Sequence, residues 1–180
     1  WAVVVFVVLF ANWPQIVILG MKVKSITDFL LAFLFTLWIG IDEETFSRKF
    51  VFNLLKPYGL PLAVAISSIH FGVLHITNYL WGFQTLTLTI SQMINASAYG
   101  VLCSAVYLVS GKLIFPIVMH ALTDLPAQFQ DQPKPVPSGE IIHEFLNLTQ
   151  VLLNCSFNLF LAGLLFFFYK LKKDKAFRSL

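Results

Sequence analysis

Three short stretches of the chain set ionisable side chains inside otherwise apolar sequence. The first is Asp42-Glu43-Glu44-Thr45-Phe46-Ser47-Arg48. Adjacent carboxylates repel in a dry site, so one of them needs a cation or a proton. On a helix, Glu44 and Arg48 stand four residues apart and can pair. Glu43 then projects about 100° away and is left for another task. The second stretch is Ser67-Ser68-Ile69-His70-Phe71-Gly72-Val73-Leu74-His75. Phe71 and His75 share one helix face, whereas His70 lies about 140° from His75. The third is Pro116-Ile117-Val118-Met119-His120-Ala121-Leu122-Thr123-Asp124, in which His120 and Asp124 stack one turn apart. Such a pair can ligate a metal, join a base to its orienting partner, or form a structural bond, and nothing local separates the three.

Each stretch also has a reading without chemistry. Asp42 to Glu44 suits the interfacial end of a helix, where it meets lipid headgroups. A single buried histidine is commonly a structural one bonded to a neighbouring carbonyl. Gly72 with Ser67 and Ser68 suits close helix packing. The three gain weight together. Each ionisable group costs roughly 2.5–3.5 kcal/mol at the centre of a membrane helix, and one shared wet cavity would solvate all of them. Carboxylates, imidazoles and a guanidinium make up a hydrolytic toolkit. The zinc-protease pattern H-E-x-x-H, the G-x-S-x-G nucleophile elbow and a Gly-rich phosphate loop are all absent from the sequence.

The elements that must position these groups follow from composition. The chain has 180 residues, 58% hydrophobic and 12% charged, with a mean hydropathy of +0.79. Soluble domains average about 45–50% apolar and about 25% charged residues. Too few charges are present to coat a globule, which excludes an ordinary soluble enzyme, a disordered tail and a coiled coil. An all-α, polytopic transmembrane helix bundle remains, and its 19 phenylalanines suit lipid-facing and helix-packing surfaces. A span takes about 20 residues, so residues 1–180 read as a single membrane-embedded domain. Six spans are expected, at about Trp1–Gly20 with a kink at Pro14, Ile26 onward capped by Thr27 or Asp28, Leu60–Tyr79, Gln84–Val109, Leu113–Phe129 and Phe145–Leu171. The second is expected to run on as one long, kinked helix to about Leu55, which brings Glu43 nearer mid-membrane. Pro116 falls in the first turn of the fifth span, and Ser110 and Gly111 close the fourth. The Pro-rich stretch Gln130–Glu144 reads as a polar loop. No internal repeat is evident.

The chain starts at Trp1 inside an apolar run that lacks the basic n-region and cleavage site of a signal peptide. Cys103 and Cys155 both fall in apolar stretches and read as small buried hydrophobes. The net charge is +3. With the C-terminus in the cytoplasm, the inner side collects nine basic residues: Arg48, Lys49, Lys56, Lys112 and the tail residues Lys170, Lys172, Lys173, Lys175 and Arg178. The outer side collects three, Lys22, Lys24 and Lys134. That asymmetry supports cytoplasmic termini, and a bacterial plasma membrane is the expected setting. One short basic tail on a membrane-embedded chain does not point to nucleic acid.

In its ionisable residues the sequence resembles the CPBP intramembrane proteases, named for CAAX prenyl proteases and bacteriocin-processing or immunity proteins and also called the Abi family. The family pattern E-E-x-x-x-R, F-x-x-x-H and H-x-x-x-N/D reads here as Glu43-Glu44-Thr-Phe-Ser-Arg48, Phe71-Gly-Val-Leu-His75 and His120-Ala-Leu-Thr-Asp124. Each motif is weak alone; the ordered set within apolar spans is fairly specific. The likeness covers about residues 28–129. Many family members have eight spans, so up to two are expected before Trp1. The resemblance implies a helical bundle that cleaves peptide bonds within or at the membrane. It implies Glu43, with His75, as the general base for water, and His120 with Asp124 as the pair that stabilises the oxyanion. Asp124 stands where many members have Asn; a carboxylate donates no hydrogen bond unless protonated, so orienting His120 or holding a cation is the alternative. Glu44 and Arg48 match supporting positions, Phe71 packs beside the site, and His70 lies outside the motif. Members are described both as metalloproteases and as glutamate proteases. Glu43, His75 and His120 would make a three-ligand set for one divalent metal such as zinc, although no helix carries a His pair at ligand spacing.

Three functions compete. The leading one is an endopeptidase acting on a membrane-associated protein or peptide, prenylated or not, with membrane lipid as its surroundings. The second is an immunity or regulatory protein of the same fold that acts by binding. The third is a small transporter or proton relay, which would show related halves and interrupted helices in matching positions; no such symmetry is present.

Overall fold

The computed structural model describes residues 2–18, 23, 25–129 and 141–178, and the side chains of all these except 11–18, 141–147 and 174–178. Among the described residues the regular structure is entirely helical. The helices are α1 (Ala2–Ile18), α2 (Ile26–Glu44), α3 (Asn53–Leu55), α4 (Leu60–Leu74), α5 (Ile76–Leu80), α6 (Leu86–Ser110), α7 (Ile114–Asp124) and α8 (Ile141–Arg178). A π-helical segment, Thr45–Phe52, joins α2 to α3, and 3-10 turns follow at Lys56–Tyr58 and Leu125–Phe129.

These elements make six rods, at the places where six spans were expected. Ser25, rather than Thr27 or Asp28, caps α2: its hydroxyl accepts from the Asp28 amide. Serine at the N-cap with an acid three residues on is a capping pair, and Asp28 is its second half. From Ile26 the chain runs without interruption through the π segment to Tyr58, the long helix that continuing past Arg48 requires. Gly59, at φ 122°, turns it into α4, and Pro61 sits in the first turn of that helix. Gly111, at φ 67°, closes α6 with its N–H on the Tyr107 carbonyl; both dihedrals suit glycine. Helix α1 continues past Pro14 to Ile18. The loop expected over Gln130–Glu144 is shorter at its far end, because α8 begins at Ile141, ahead of the expected Phe145. The remainder of that loop, residues 130–140, lies outside the described residues.

Among the described residues, three rods are long and apolar enough to cross a membrane: Leu60–Leu80, Leu86–Ser110 and Leu148–Lys173. Helix α2 concentrates Asp28, Asp42, Glu43 and Glu44, and α7 has only 11 residues. The outer surface is nevertheless apolar around the bundle, with Phe6, Leu34, Trp38, Leu80 and Phe160 all exposed. An apolar exterior of this kind suits lipid contact rather than water.

Helix α6 is the centre of the bundle, packed on α4 on one side and α8 on the other, while α7 bridges α1 and α2. The core joins Val4, Val7 and Val8 of α1 to Leu102, Cys103 and Val106 of α6, Met119 of α7, and Leu161 and Leu165 of α8. Cys103 and Cys155 are free thiols, the first buried and the second half-buried. Two glycines bring helices to near contact. A side chain at Gly72 would collide with Met93 and Ser97 of α6, and one at Gly40 would lie 2.9 Å from the Ile117 carbonyl of α7. Close backbone approach through small residues is a general means of joining helices in lipid, and both approaches flank the site.

Candidate active site

Glu44 and Arg48 pair across one turn, Nε to Oε2 at 3.0 Å, with both side chains fully buried. Sealed inside the bundle, the two charges are spent on each other. The guanidinium also donates from Nη1 to the Ser67 carbonyl at 3.4 Å and lies over the Phe71 ring at 5.1 Å, a cation–π contact. Gly100 admits it: a side chain there would lie 3.3 Å from Nη2. Arg48 sits in the widened π turn, which carries it inward together with Ser47 and Phe52. Single π turns within α-helices commonly mark functional sites.

The other oxygen of Glu44 reaches the third motif. Oε1 lies 3.1 Å from Nδ1 of His120, and the two are hydrogen-bonded. The opposite nitrogen, Nε2, lies 3.3 Å from Oδ2 of Asp124 and 3.7 Å from Oε2 of Glu43. Phe71 and Tyr99 flank the ring edge-on, with centroids at 5.6 and 6.0 Å. Tyr99 is held in turn by Thr123, oxygen to oxygen at 3.0 Å. His120 is therefore fixed by three carboxylates and two aromatic rings. The adjacent glutamates have opposite environments. Glu44 has no exposed surface and is bonded to both Arg48 and His120, whereas Glu43 keeps 33% of its side chain exposed. Asp124 keeps 37%.

His75 stands at the break between α4 and α5. Its Nδ1 lies 3.2 Å from the Phe71 carbonyl and its ring meets Phe71 edge-on. It lines a cavity of about 210 Å³ together with His120 and Asp124. The structure thus brings all three motifs to one place. It does not join Glu43 directly to His75: the ionic contact of Glu43 runs to His120, because the His75 ring is tethered to the carbonyl of its own helix. Nε2 is the nitrogen of His75 left for the cavity. His70 lies apart from the site and packs on Phe46 at 5.4 Å between ring centroids.

The metal set expected from Glu43, His75 and His120 is not assembled. Among the described residues, no three His, Cys, Asp or Glu side chains are grouped as a metal ion requires. Nδ1 of His120 is engaged by Glu44, and its Nε2 faces two carboxylates rather than a second imidazole.

The other side of the cavity is formed by side chains the motif reading passes over. Gln92, Asn95 and Tyr99 come from α6, and Asn154 and Asn158 from α8. Their signal lies in the sequence: amides at i, i+3 and at i, i+4 within apolar helices. A search confined to ionisable groups passes them by.

The fold and the site together define a multi-pass helical membrane protein with a carboxylate–histidine centre inside the bundle. The sequence profile of the family described as Type II CAAX prenyl endopeptidase Rce1-like matches residues 25–126, more than half of the chain, and the chain belongs to that family. The match takes in all three motifs, as the resemblance requires. No curated protein and no solved structure matches the chain.

Proposed function

We propose that the protein is an intramembrane endopeptidase that hydrolyses a peptide bond of a membrane-associated or prenylated protein or peptide. One observation carries the reading: of two adjacent glutamates, one is locked into a buried ion pair and the other is left open beside an imidazole. Glu43 then serves as general base. It takes a proton from water, and the hydroxide adds to the scissile carbonyl. His75, on the cavity that His120 lines, orients that water through Nε2. The negative oxygen of the tetrahedral intermediate is met by His120 through an N–H at Nε2, held in place by Glu44 behind the ring. Asp124 steadies that nitrogen from the side. The C–N bond breaks as Glu43 returns its proton to the leaving amine, so one water is consumed and Glu43 ends as it began. The exposed Lys170, Lys172 and Lys173 at the end of α8 support a cytoplasmic C-terminus in a plasma membrane.

The test uses the protein in lipid nanodiscs and a fluorescence-quenched, farnesylated CAAX peptide, beside an unlipidated membrane-spanning peptide. Cleavage in H₂¹⁸O should place a single ¹⁸O in the new carboxylate, and Glu43→Gln should abolish it while leaving insertion and helicity intact. Chelation and metal add-back on the same preparation separate water activation by Glu43 from activation by a metal. Failure of the wild-type protein to cut either peptide, or equal turnover by Glu43→Gln, would overturn the assignment.

A further inference from the structure

Beyond the reacting groups, the cavity has a second wall with a consistent polarity. A side-chain amide has one acceptor oxygen and two N–H donors. In three cavity-lining amides the oxygen is already taken from behind. Gln92 Oε1 accepts from Asn78 Nδ2 at 2.8 Å. Asn154 Oδ1 accepts from Gln150 Nε2 at 2.9 Å. Asn95 Oδ1 faces the Cys155 thiol at 3.5 Å, which shares its one proton with the Ile94 carbonyl at 3.8 Å. The amide nitrogens of Gln92, Asn95 and Asn154 make no hydrogen bond among the described residues. All three residues line the cavity shared by His75, His120 and Asp124. Their spacing agrees with that placement: Gln92, Asn95, Ala96 and Tyr99 form one stripe of α6, and Asn154, Phe157 and Asn158 one stripe of α8. Amides in a membrane helix need polar partners, yet here the donors of three are held in reserve. The same cavity is lined by Asp124, which can only accept when ionised.

We infer that Gln92, Asn95 and Asn154 form a donor wall that binds the main-chain carbonyl oxygens of an extended substrate segment, pressing its scissile bond against His120 and Asp124, with Glu43 beside His120. The inference rests on the peptidase reading above and adds what aligns the substrate. A peptide in a membrane cavity must find partners for its carbonyls, and a row of pre-oriented N–H groups supplies them without regard to side chain. These are positioning residues. Asn154 lies beyond residues 25–126, so the wall is completed by a helix outside the family match.

The experiment is a double-mutant cycle between protein and ligand. Binding of the farnesylated CAAX peptide is measured by fluorescence anisotropy in nanodiscs on the non-cleaving Glu43→Gln protein. Binding is repeated with Gln92→Met, Asn95→Leu and Asn154→Leu added singly, and with peptide analogues in which one carbonyl at a time is reduced to methylene. Each protein substitution should weaken the parent peptide by about 5- to 10-fold. It should also lose that effect against the analogue lacking the matching carbonyl. In the active background the same substitutions should raise KM by a similar factor and leave kcat within about threefold. Should a substitution fail to fold, Asn78→Leu and Cys155→Ala release the amide oxygens without removing the donors, and should raise KM by about two- to threefold through lost orientation. Normal cleavage with no coupling between any amide and any carbonyl would overturn the donor wall and leave the peptidase standing. No binding and no cleavage by wild type would remove both.

Discussion

The floor of the site and its mouth are made from neighbouring residues and behave as different materials. In the floor, Glu44, Arg48 and the Nδ1 side of His120 are sealed from solvent and joined at 3.0–3.1 Å. At the mouth, Glu43, Asp124 and His75 are partly open, and the Glu43 contact stretches to 3.7 Å. The floor spends its polar groups on each other. The mouth leaves His75 and Asp124 facing a cavity and Glu43 partly open. A buried ion pair adds little net stability when whole but costs much when halved, because the surviving charge is stranded. The floor is thus a positioning device whose loss is structural, and the mouth is where loss should be chemical. Variants that separate stability from turnover can break this division.

The largest effect is expected in the floor. Arg48→Met removes the cation from a fully buried Glu44 and withdraws the contacts to the Ser67 carbonyl and the Phe71 ring. It should lower unfolding free energy by about 3–5 kcal/mol, read by denaturant titration of the reconstituted protein, with activity lost alongside. An Arg48→Met protein of normal stability would show that the floor holds nothing.

At the mouth, His75→Ala should reduce kcat by about 10²- to 10⁴-fold while the unfolding transition stays where it was. Among the described residues the His75 ring is bonded to its own helix carbonyl and packs on the Phe71 edge, so little structure depends on it. Partial recovery with added imidazole would mark the loss as chemical. Destabilisation comparable to Arg48→Met would instead move His75 into the floor.

Between floor and mouth lies the spacing of the helices themselves. At Gly40 an added methyl meets the Ile117 carbonyl at 2.9 Å and the His120 Cβ at 3.5 Å. Gly40→Ala should therefore force α2 from α7 and cost about 1–3 kcal/mol. Because Glu43 and His120 ride on those two helices, kcat should fall in the same variant with KM little changed. Unaltered turnover would mean that the separation of α2 and α7 does not set the catalytic geometry.

The division between floor and mouth was only half visible in the sequence. The i, i+4 spacing of Glu44 and Arg48, and of His120 and Asp124, is local, and local spacing on a helix fixes a shared face. The pairing of Glu44 with Arg48, the close approach at Gly72 and the long second rod all follow from such rules. What tertiary contact decides was not legible. The burial of Glu44 is not legible, because room for its partner Arg48 depends on Gly100 and Ser68 of two other helices. The tether on His75 needs the break at the end of α4, which no Pro or Gly announces at that position. The amide wall escaped because its orientation comes from bonds such as Asn78 to Gln92, made across a turn between α5 and α6. Ser25 is legible as the cap from its spacing to Asp28, two residues ahead of Thr27.

The smallest change tests what the mouth asks of Asp124. Its Oδ2 lies 3.3 Å from Nε2 of His120, one turn away on α7. If the carboxylate acts only to steady that nitrogen, the amide oxygen of Asn can replace it with nearly the same shape. The difference is then that between a charged and a neutral acceptor, about 1 kcal/mol or roughly fivefold. Asp124→Asn should accordingly keep kcat within about fivefold of wild type, with unchanged stability and a weaker dependence on ionic strength. A further consequence follows from polarity, since the new Nδ2 can donate toward the cavity where a carboxylate can only accept. Any deficit in holding His120 is thereby offset by a gain at the oxyanion. A loss beyond about 100-fold, the scale of a lost acid–base group, would require the charge itself. Asp124 would then share proton transfer with Glu43, and the line between a chemical Glu43 and a supporting Asp124 would have to be redrawn.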